Sequence, residues 1–435
     1  MKTRAFTFTM FAAIATAFGA RPAMAGLSAG AAKVEITPNL KEFPTTSLGG
    51  FGDRGGKPAQ GVHDGLYAHA LVLANGGAKV ALVSCDLLKI TPGMKQAVLK
   101  QVAGLGFTED NLLLAATHTH SGPEGLHPEG DVWPQFYGRF QPGLYAWITA
   151  RVAEAIGRAN GSLQPAQVGF AAAAIEGMSH NRRKTGGGLL DVTMTVMNVV
   201  GPDAKPIALV VNFAAHPTIM GADSFLFSAE WPGAMCKALE ERMGRGVALF
   251  FNGDEGDQTH SGDFGSGWER VGRYGGALAE KAWQLAQEAK MSGDVVLRAR
   301  AVAWRLPGQR LSPTYAEKAG EEYGKDPERV QRVLRALFPG ELRLQAVRVG
   351  DAVLMPVPGE EITELGLAMK ANASAAGARY PMVIGLANNQ LGYILSPKQY
   401  DAGGYEPGMS FYGRELGDII VAEMKQAVGP LFAAH

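Results

Sequence analysis

Five times along this chain a short, almost wholly apolar run stops abruptly at a polar cluster. Residues 111–116 empty into Thr117-His118-Thr119-His120-Ser121-Gly122-Pro123, and 207–213 into Ala214-Ala215-His216-Pro217-Thr218. Residues 247–251 lead to Asn252-Gly253-Asp254-Glu255-Gly256-Asp257-Gln258-Thr259-His260. Residues 352–356 lead to Val357-Pro358-Gly359-Glu360, and 382–386 to Ala387-Asn388-Asn389 and then Tyr393. Apolar runs this short, bounded by turn residues, read as strands buried on both faces. Segments with helical periodicity alternate with them: 93–103, 144–159, 233–243 behind Pro232, 268–288, 361–373 and 414–428. Two strand pairs are expected, 66–74 with 79–84 across Gly76-Gly77, and 343–349 with 352–356 across Gly350-Asp351. The alternation predicts an α/β fold with a mixed β-sheet core, surrounding helices and a site at the strand C-terminal ends, where loops converge on fixed bases. The Gly-rich stretches 252–267 and 396–410 read as long surface loops.

The N-terminus carries its own instruction. Lys2 and Arg4 precede an apolar stretch over 6–20, and Ala23-Met24-Ala25 supplies the A-x-A pattern of a signal peptidase site. A signal peptide over 1–25 is expected, a single catalytic domain over 26–435, and a periplasmic or secreted location. No later stretch is apolar for long enough to span a bilayer. With 46% hydrophobic and only 19% charged residues, a large core is easily built. Lys plus Arg equals Asp plus Glu at 41 each, with no long basic run, so nucleic acid and anionic membranes gain no support as partners. A small-molecule or lipid substrate is the expected partner. Cys85 and Cys236 fit either one disulfide or two buried thiols.

The chemistry concentrates where the strands end. His118 and His120 sit at a two-residue spacing, which in an extended segment projects both imidazoles to one face. Imidazole is the commonest zinc ligand, and a catalytic zinc keeps an open position beside about three protein ligands. His216 taken singly reads as well as a core histidine, and Glu360 as an acid favoured by a helix N-terminus. Their shared position after buried strands groups them.

Together these segments resemble the catalytic domain of the neutral (non-lysosomal) ceramidase family. THTHSGP at 117–123 is the most specific piece, and GVHDGLYAHALVL at 61–73, NFAAH around His216, PGE ending at Glu360 and the Tyr-rich stretch 393–405 follow in order. The resemblance implies a zinc ion held by His118, His216, Glu360 and Tyr393. It also implies catalytic roles for His120 near the scissile group, Arg182 after Asn181 as a substrate-binding cation, and Tyr405 in the second pocket. The chain departs from the family pattern at Thr259, which replaces a family Ser, and at Glu361, where an aromatic residue is usual. The family's C-terminal immunoglobulin-like sandwich is not expected here.

The implied activity is hydrolysis of the N-acyl amide bond of ceramide or a related N-acyl lipid by metal-activated water. His120 serves as the proton shuttle and, with Tyr405, supports the oxyanion. A zinc hydrolase of a small non-sphingolipid amide or ester, and a zinc-retaining binding protein without turnover, are the alternatives. His63 and Asp64 fit either a role around the metal or simple hydrogen bonding at a strand start.

Overall fold

The computed structural model describes residues 26–183 and 188–433. The expected signal peptide, 1–25, lies outside the described residues. Three four-stranded arrangements repeat one plan. The first runs Ser28–Glu35, Tyr67–Asn75, Ala78–Cys85 and Leu112–Ala116, and a short fifth strand, Gln164–Pro165, extends its edge. The second runs Gln167–Ala174, Thr193–Val200, Pro206–Phe213 and Val247–Asn252. The third runs Leu297–Arg305, Glu341–Val349, Ala352–Pro356 and Tyr380–Ile384.

In each sheet the first three strands pair antiparallel in chain order, and the fourth lies parallel to the third. A parallel pair needs a crossover. Helices Met94–Gln101, Glu230–Met243 and Thr363–Ala375 supply one in each sheet. A long helix then follows each fourth strand: Pro142–Gly161, Gly267–Glu288 and Leu416–Phe432. No sequence repeat marks this threefold plan. It is visible only as strand order.

Side-chain alternation builds the layers. Leu71, Leu73 and Leu82 of the first sheet, Ala208, Val210 and Phe251 of the second, and Val347, Leu354 and Ile384 of the third meet in one common core. The intervening residues face outward under helices. Ala70, Val72 and Val83 pack against Ile148 and Val152, Leu209, Val211 and Phe250 against Leu239 and Leu278, and Leu344, Val353 and Met355 against Met369 and Ile420. Each sheet is thus buried on both faces, which is why its strands read as apolar runs. Polar side chains tie the sheets together: Ser84 Oγ donates to Phe250 O, and Asn212 Nδ2 donates to Phe251 O and Val383 O.

Local chemistry sets the boundaries. Pro232 lies inside the first turn of Glu230–Met243, where its missing N–H costs no helical bond, so the helix begins earlier than expected. Cys85 and Cys236 are free and buried in different layers, beneath different sheets. The two expected surface loops are a correction. Asp254, Glu255 and Gln258 are fully buried, and Glu406 through Tyr412 are buried too, because both stretches fold inward onto the strand ends. Among the described residues no helix is long and apolar enough to cross a membrane.

Candidate metal centre and its cavity

Because the three sheets share one plan, the carboxyl ends of their parallel pairs open on the same side of the core. His118 and His120 follow Leu112–Ala116, His216 follows Pro206–Phe213, Glu360 follows Ala352–Pro356, and Tyr393 lies beyond Tyr380–Ile384. Glu360 Oε2 lies 3.4 Å from His118 Nε2 and 3.3 Å from His216 Nε2. Tyr393 Oη is 3.5 Å from His216 Nε2, and His120 Nε2 is 3.3 Å from His118 Nε2.

The backbone settles which ring nitrogens face inward. His118 Nδ1 lies 2.8 Å from Leu88 O, and His216 Nδ1 lies 2.8 Å from Glu255 O and 3.0 Å from Gln258 O. A carbonyl only accepts, so Nδ1 carries the proton and Nε2 of each neutral ring presents a lone pair. Two lone pairs thus face a carboxylate oxygen that is buried and has no hydrogen-bond partner. Acceptors this close repel one another unless a cation sits among them. A tetrahedral ion about 2.0–2.1 Å from its ligands spaces them roughly 3.3–3.4 Å apart. The donor set fits a divalent cation.

His118 takes a left-handed backbone, φ 71°, so the segment is not the extended one the spacing suggested. The two imidazoles still converge, edge to face, with ring centroids 4.8 Å apart. Strained φ values of this kind persist where the surroundings over-determine them. Here Leu87 O accepts from His118 N, and Leu88 O holds its ring. His120 is packed by the loop carrying Phe51, centroids 4.8 Å apart, and Arg54 Nη1 donates to His120 O. Gly50, at φ 94°, must lack a Cβ, which would stand 2.3 Å from His120 Nδ1.

Burial would raise the Glu360 carboxyl, but His118 and His216 more than offset this and hold it well below the usual carboxylate range. Burial, then His118 and His216, push His120 well below the ordinary histidine value, so its ring is neutral. Burial pushes Tyr393 up while Arg182 draws it back. Arg182 Nη2 donates to Tyr393 Oη at 2.8 Å and to Gly256 O, and its Nε donates to Glu406 at 3.0 Å. Arg182 therefore grips a site tyrosine while also bordering the cavity. Tyr405 stands edge-on to Tyr393, centroids 6.0 Å apart.

The cavity above these residues holds about 510 Å³ and is bordered by His118, His120, Arg182, Glu360, Tyr393 and Tyr405. Leu48, Phe51 and Phe136 give it apolar walls, and the buried Lys89–Glu124 pair, at 2.9 Å, closes one side. Thr259 does not border it; its hydroxyl lies 3.3 Å from that of Thr218. His63 and Asp64 do not border it either. Asp64 accepts from Ala229 N and Ser228 Oγ at the start of Glu230–Met243, and His63 stacks on Trp268.

Sequence reasoning passed over three residues at this centre. Gln390 Nε2 donates to Glu360 Oε1 at 3.4 Å, Arg54 supports His120, and the Glu255 carbonyl orients His216. Only the run Asp254-Glu255-Gly256-Asp257 after a buried strand hinted at any of them.

Known proteins are similar to this chain in sequence and fold. Residues 28–262 match the family described as neutral/alkaline non-lysosomal ceramidase, N-terminal. The chain is 24% identical to a neutral ceramidase of Pseudomonas aeruginosa, over 88% of this chain and 69% of that protein. It is 23% identical to a neutral ceramidase of Mycobacterium tuberculosis, over 92% and 77% respectively. The crystal structure of neutral ceramidase from P. aeruginosa superposes with a TM-score of 0.79 at 22% identity, covering 94% of this chain and 75% of that one. With more than half of its length matched by the family, and with the same fold, the chain belongs to the neutral/alkaline non-lysosomal ceramidases.

Proposed function

We propose that this chain is an exported, zinc-dependent amidohydrolase that cleaves the N-acyl amide bond of ceramide or a related N-acyl lipid. The observation that carries the reading is the convergence of two imidazole lone pairs, a carboxylate and a phenol at ligand spacing beneath an open cavity. The relatives bear the name neutral ceramidase, and one similar solved structure is a ceramidase complexed with C2. His118, His216, Glu360 and Tyr393 hold the metal. Zinc, when bound, supplies Lewis acidity that polarises an amide carbonyl and makes a water acidic near neutral pH.

The chain's own residues do the rest. His120, neutral and beside the donor set, takes the proton of the attacking water and returns it to the departing nitrogen, since an amide anion does not leave. Tyr405 offers an O–H from the cavity wall to the developing oxyanion. Arg182 keeps the Tyr393 oxygen in place, and Leu88 O and Glu255 O fix the two histidine tautomers. Residues 26–435 act as one catalytic domain after removal of 1–25.

A second reading, hydrolysis of a small polar amide, draws on the Lys89–Glu124 pair and Glu322 at the cavity wall. A panel of fluorogenic acyl amides of increasing chain length separates the two. Long-chain preference is the expected result, and short-chain preference selects the polar reading. Full activity in chelator, with no metal found by elemental analysis, would refute both.

A further inference from the structure

The metal reading leaves one buried acid unexplained. Glu255 begins the tight turn Glu255–Asp257 that follows Val247–Asn252, and its carbonyl accepts from His216 Nδ1. Its side chain turns toward the same centre. One carboxylate oxygen of Glu255, one ring nitrogen of His118 and one oxygen of Glu360 all lie within 4.8 Å of one another. Glu255 is 0% exposed, and neither of its oxygens has a hydrogen-bond partner.

The usual partners of a buried acid are committed elsewhere. Lys370 pairs with Asp191, and Arg182 with Glu406 and Tyr393. Asp254 and Glu361 are themselves buried nearby with bare oxygens, and with burial they push the Glu255 carboxyl up rather than satisfying it. Space for the carboxylate is nonetheless kept open. A Cβ on Gly385 would stand 2.5 Å from Glu255 Oε2, so only glycine fits there. An ionised carboxylate buried without a partner costs several kcal/mol, so Glu255 is ionised here only with a cation beside it.

We propose that Glu255 is a further carboxylate ligand of this metal centre, giving it a two-histidine, two-carboxylate set that accepts harder divalent cations such as Mn²⁺ as well as zinc. The inference rests on the metal reading above. An octahedral ion with ligands near 2.1 Å places adjacent donors about 3 Å apart and opposite donors about 4.2 Å apart; the donors of His118, Glu255 and Glu360 all lie within 4.8 Å of one another. A second carboxylate expands the shell beyond four and moves metal preference from imidazole-loving zinc toward oxygen-loving ions.

The test uses the metal-free full chain, titrated with Zn²⁺, Mn²⁺ and Co²⁺, in wild type and Glu255→Gln. Wild type is expected to bind stoichiometric Mn²⁺ in competition with Zn²⁺, and its Co²⁺ form to show the weak visible bands of five- or six-coordination. Glu255→Gln should lose Mn²⁺ affinity by about 10–100-fold, the range seen when support of a metal site is removed. Its Zn²⁺ affinity should fall far less, and its Co²⁺ bands should intensify toward the tetrahedral pattern. If wild type binds zinc but the variant keeps the same Mn²⁺ to Zn²⁺ ratio and Co²⁺ spectrum, Glu255 is not a ligand and only this inference falls. If wild type takes up no metal, the reading beneath it falls as well. Should Glu255→Gln fail to fold, Mn²⁺ paramagnetic resonance on wild type decides: failure to hold Mn²⁺ at the zinc site overturns the proposal.

Discussion

The histidine side and the acidic side of the centre are built on opposite principles. On the histidine side the rings of His118 and His216 are clamped through Nδ1 by backbone carbonyls of Leu88, Glu255 and Gln258, leaving one lone pair each to point inward. On the acidic side, Asp254, Glu255 and Glu361 lie fully buried with no partner for any side-chain oxygen. Asp257 shows that this is not a property of the loop. It lies on the same turn, yet its oxygens accept from Thr363 N at 2.9 Å, Thr363 Oγ1 at 2.6 Å and Asn181 Nδ2 at 2.8 Å. Satisfied acids hold the fold, whereas burial and their acidic neighbours push the unsatisfied carboxyls well above the usual range.

Breaking the clamped side should have the largest effect. His118→Ala is expected to lose its metal, measured by elemental analysis, and its activity to background. His120→Ala should keep the metal and lose about 10²–10⁴-fold in kcat, because proton transfer acts only during turnover. Equal metal retention in both variants would reverse their assigned roles.

The tyrosines sharpen the distinction between holding and reacting. Tyr405→Phe should leave metal affinity unchanged and cut kcat by about 10²–10³-fold, the effect of losing one oxyanion donor. Tyr393→Phe should loosen metal, less than His118→Ala does, and leave Arg182 Nη2 donating to Gly256 O alone. A Tyr405→Phe enzyme with normal kcat and raised KM would reduce that residue to substrate packing.

A matched pair tests the acids themselves. Asp257→Asn turns an amide toward donors that need an acceptor, and should destabilise the protein by about 1–3 kcal/mol in urea unfolding. Glu361→Gln replaces a carboxyl that burial pushes well above the usual range and that nothing pairs, and should be neutral or stabilising in the same assay. Equal losses would erase the contrast between satisfied and unsatisfied acids.

Smaller effects follow away from the centre. Burial raises the Glu230 carboxyl to about 7, whereas an unfolded Glu titrates near about 4.3. The native state holds the extra proton between those values, so this stabilising contribution is complete below the unfolded value and lost as pH rises through 7. Glu230→Gln should abolish that slope, gaining on wild type by about 1–3 kcal/mol at pH 8. Thr259→Ala should change kcat least, since its hydroxyl faces Thr218 rather than the cavity. A trapped acyl group on Thr259 would contradict this.

Much of the architecture was legible because burial on both faces writes apolar runs into the chain. The strands ending before His118, His216 and Glu360, and the helices between them, fall within a few residues of expectation. Strands such as Ser28–Glu35 and Leu297–Arg305 escaped notice. The first is rich in alanine and glycine, the second alternates arginine with small residues, and neither carries the β-branched signature. They are strands because Tyr67–Asn75 and Glu341–Val349 offer them a ladder.

The sequence by itself determined the fold class and the family, and brought His118, His216 and Glu360 forward as candidate donors, because residue type and order at a strand's end survive in one dimension. Tertiary structure alone decided the rest. Whether an acid such as Asp257 or Glu255 is paired depends on Thr363 and Asn181, which sit far away in the chain. The tautomer of His216 depends on carbonyls some forty residues distant, at Glu255 and Gln258. The threefold plan that gathers the strand ends is a matter of pairing order, which no local pattern encodes. Hydrogen-bond partners and shared cores are properties of space, and space is set only when all three sheets close around one interior.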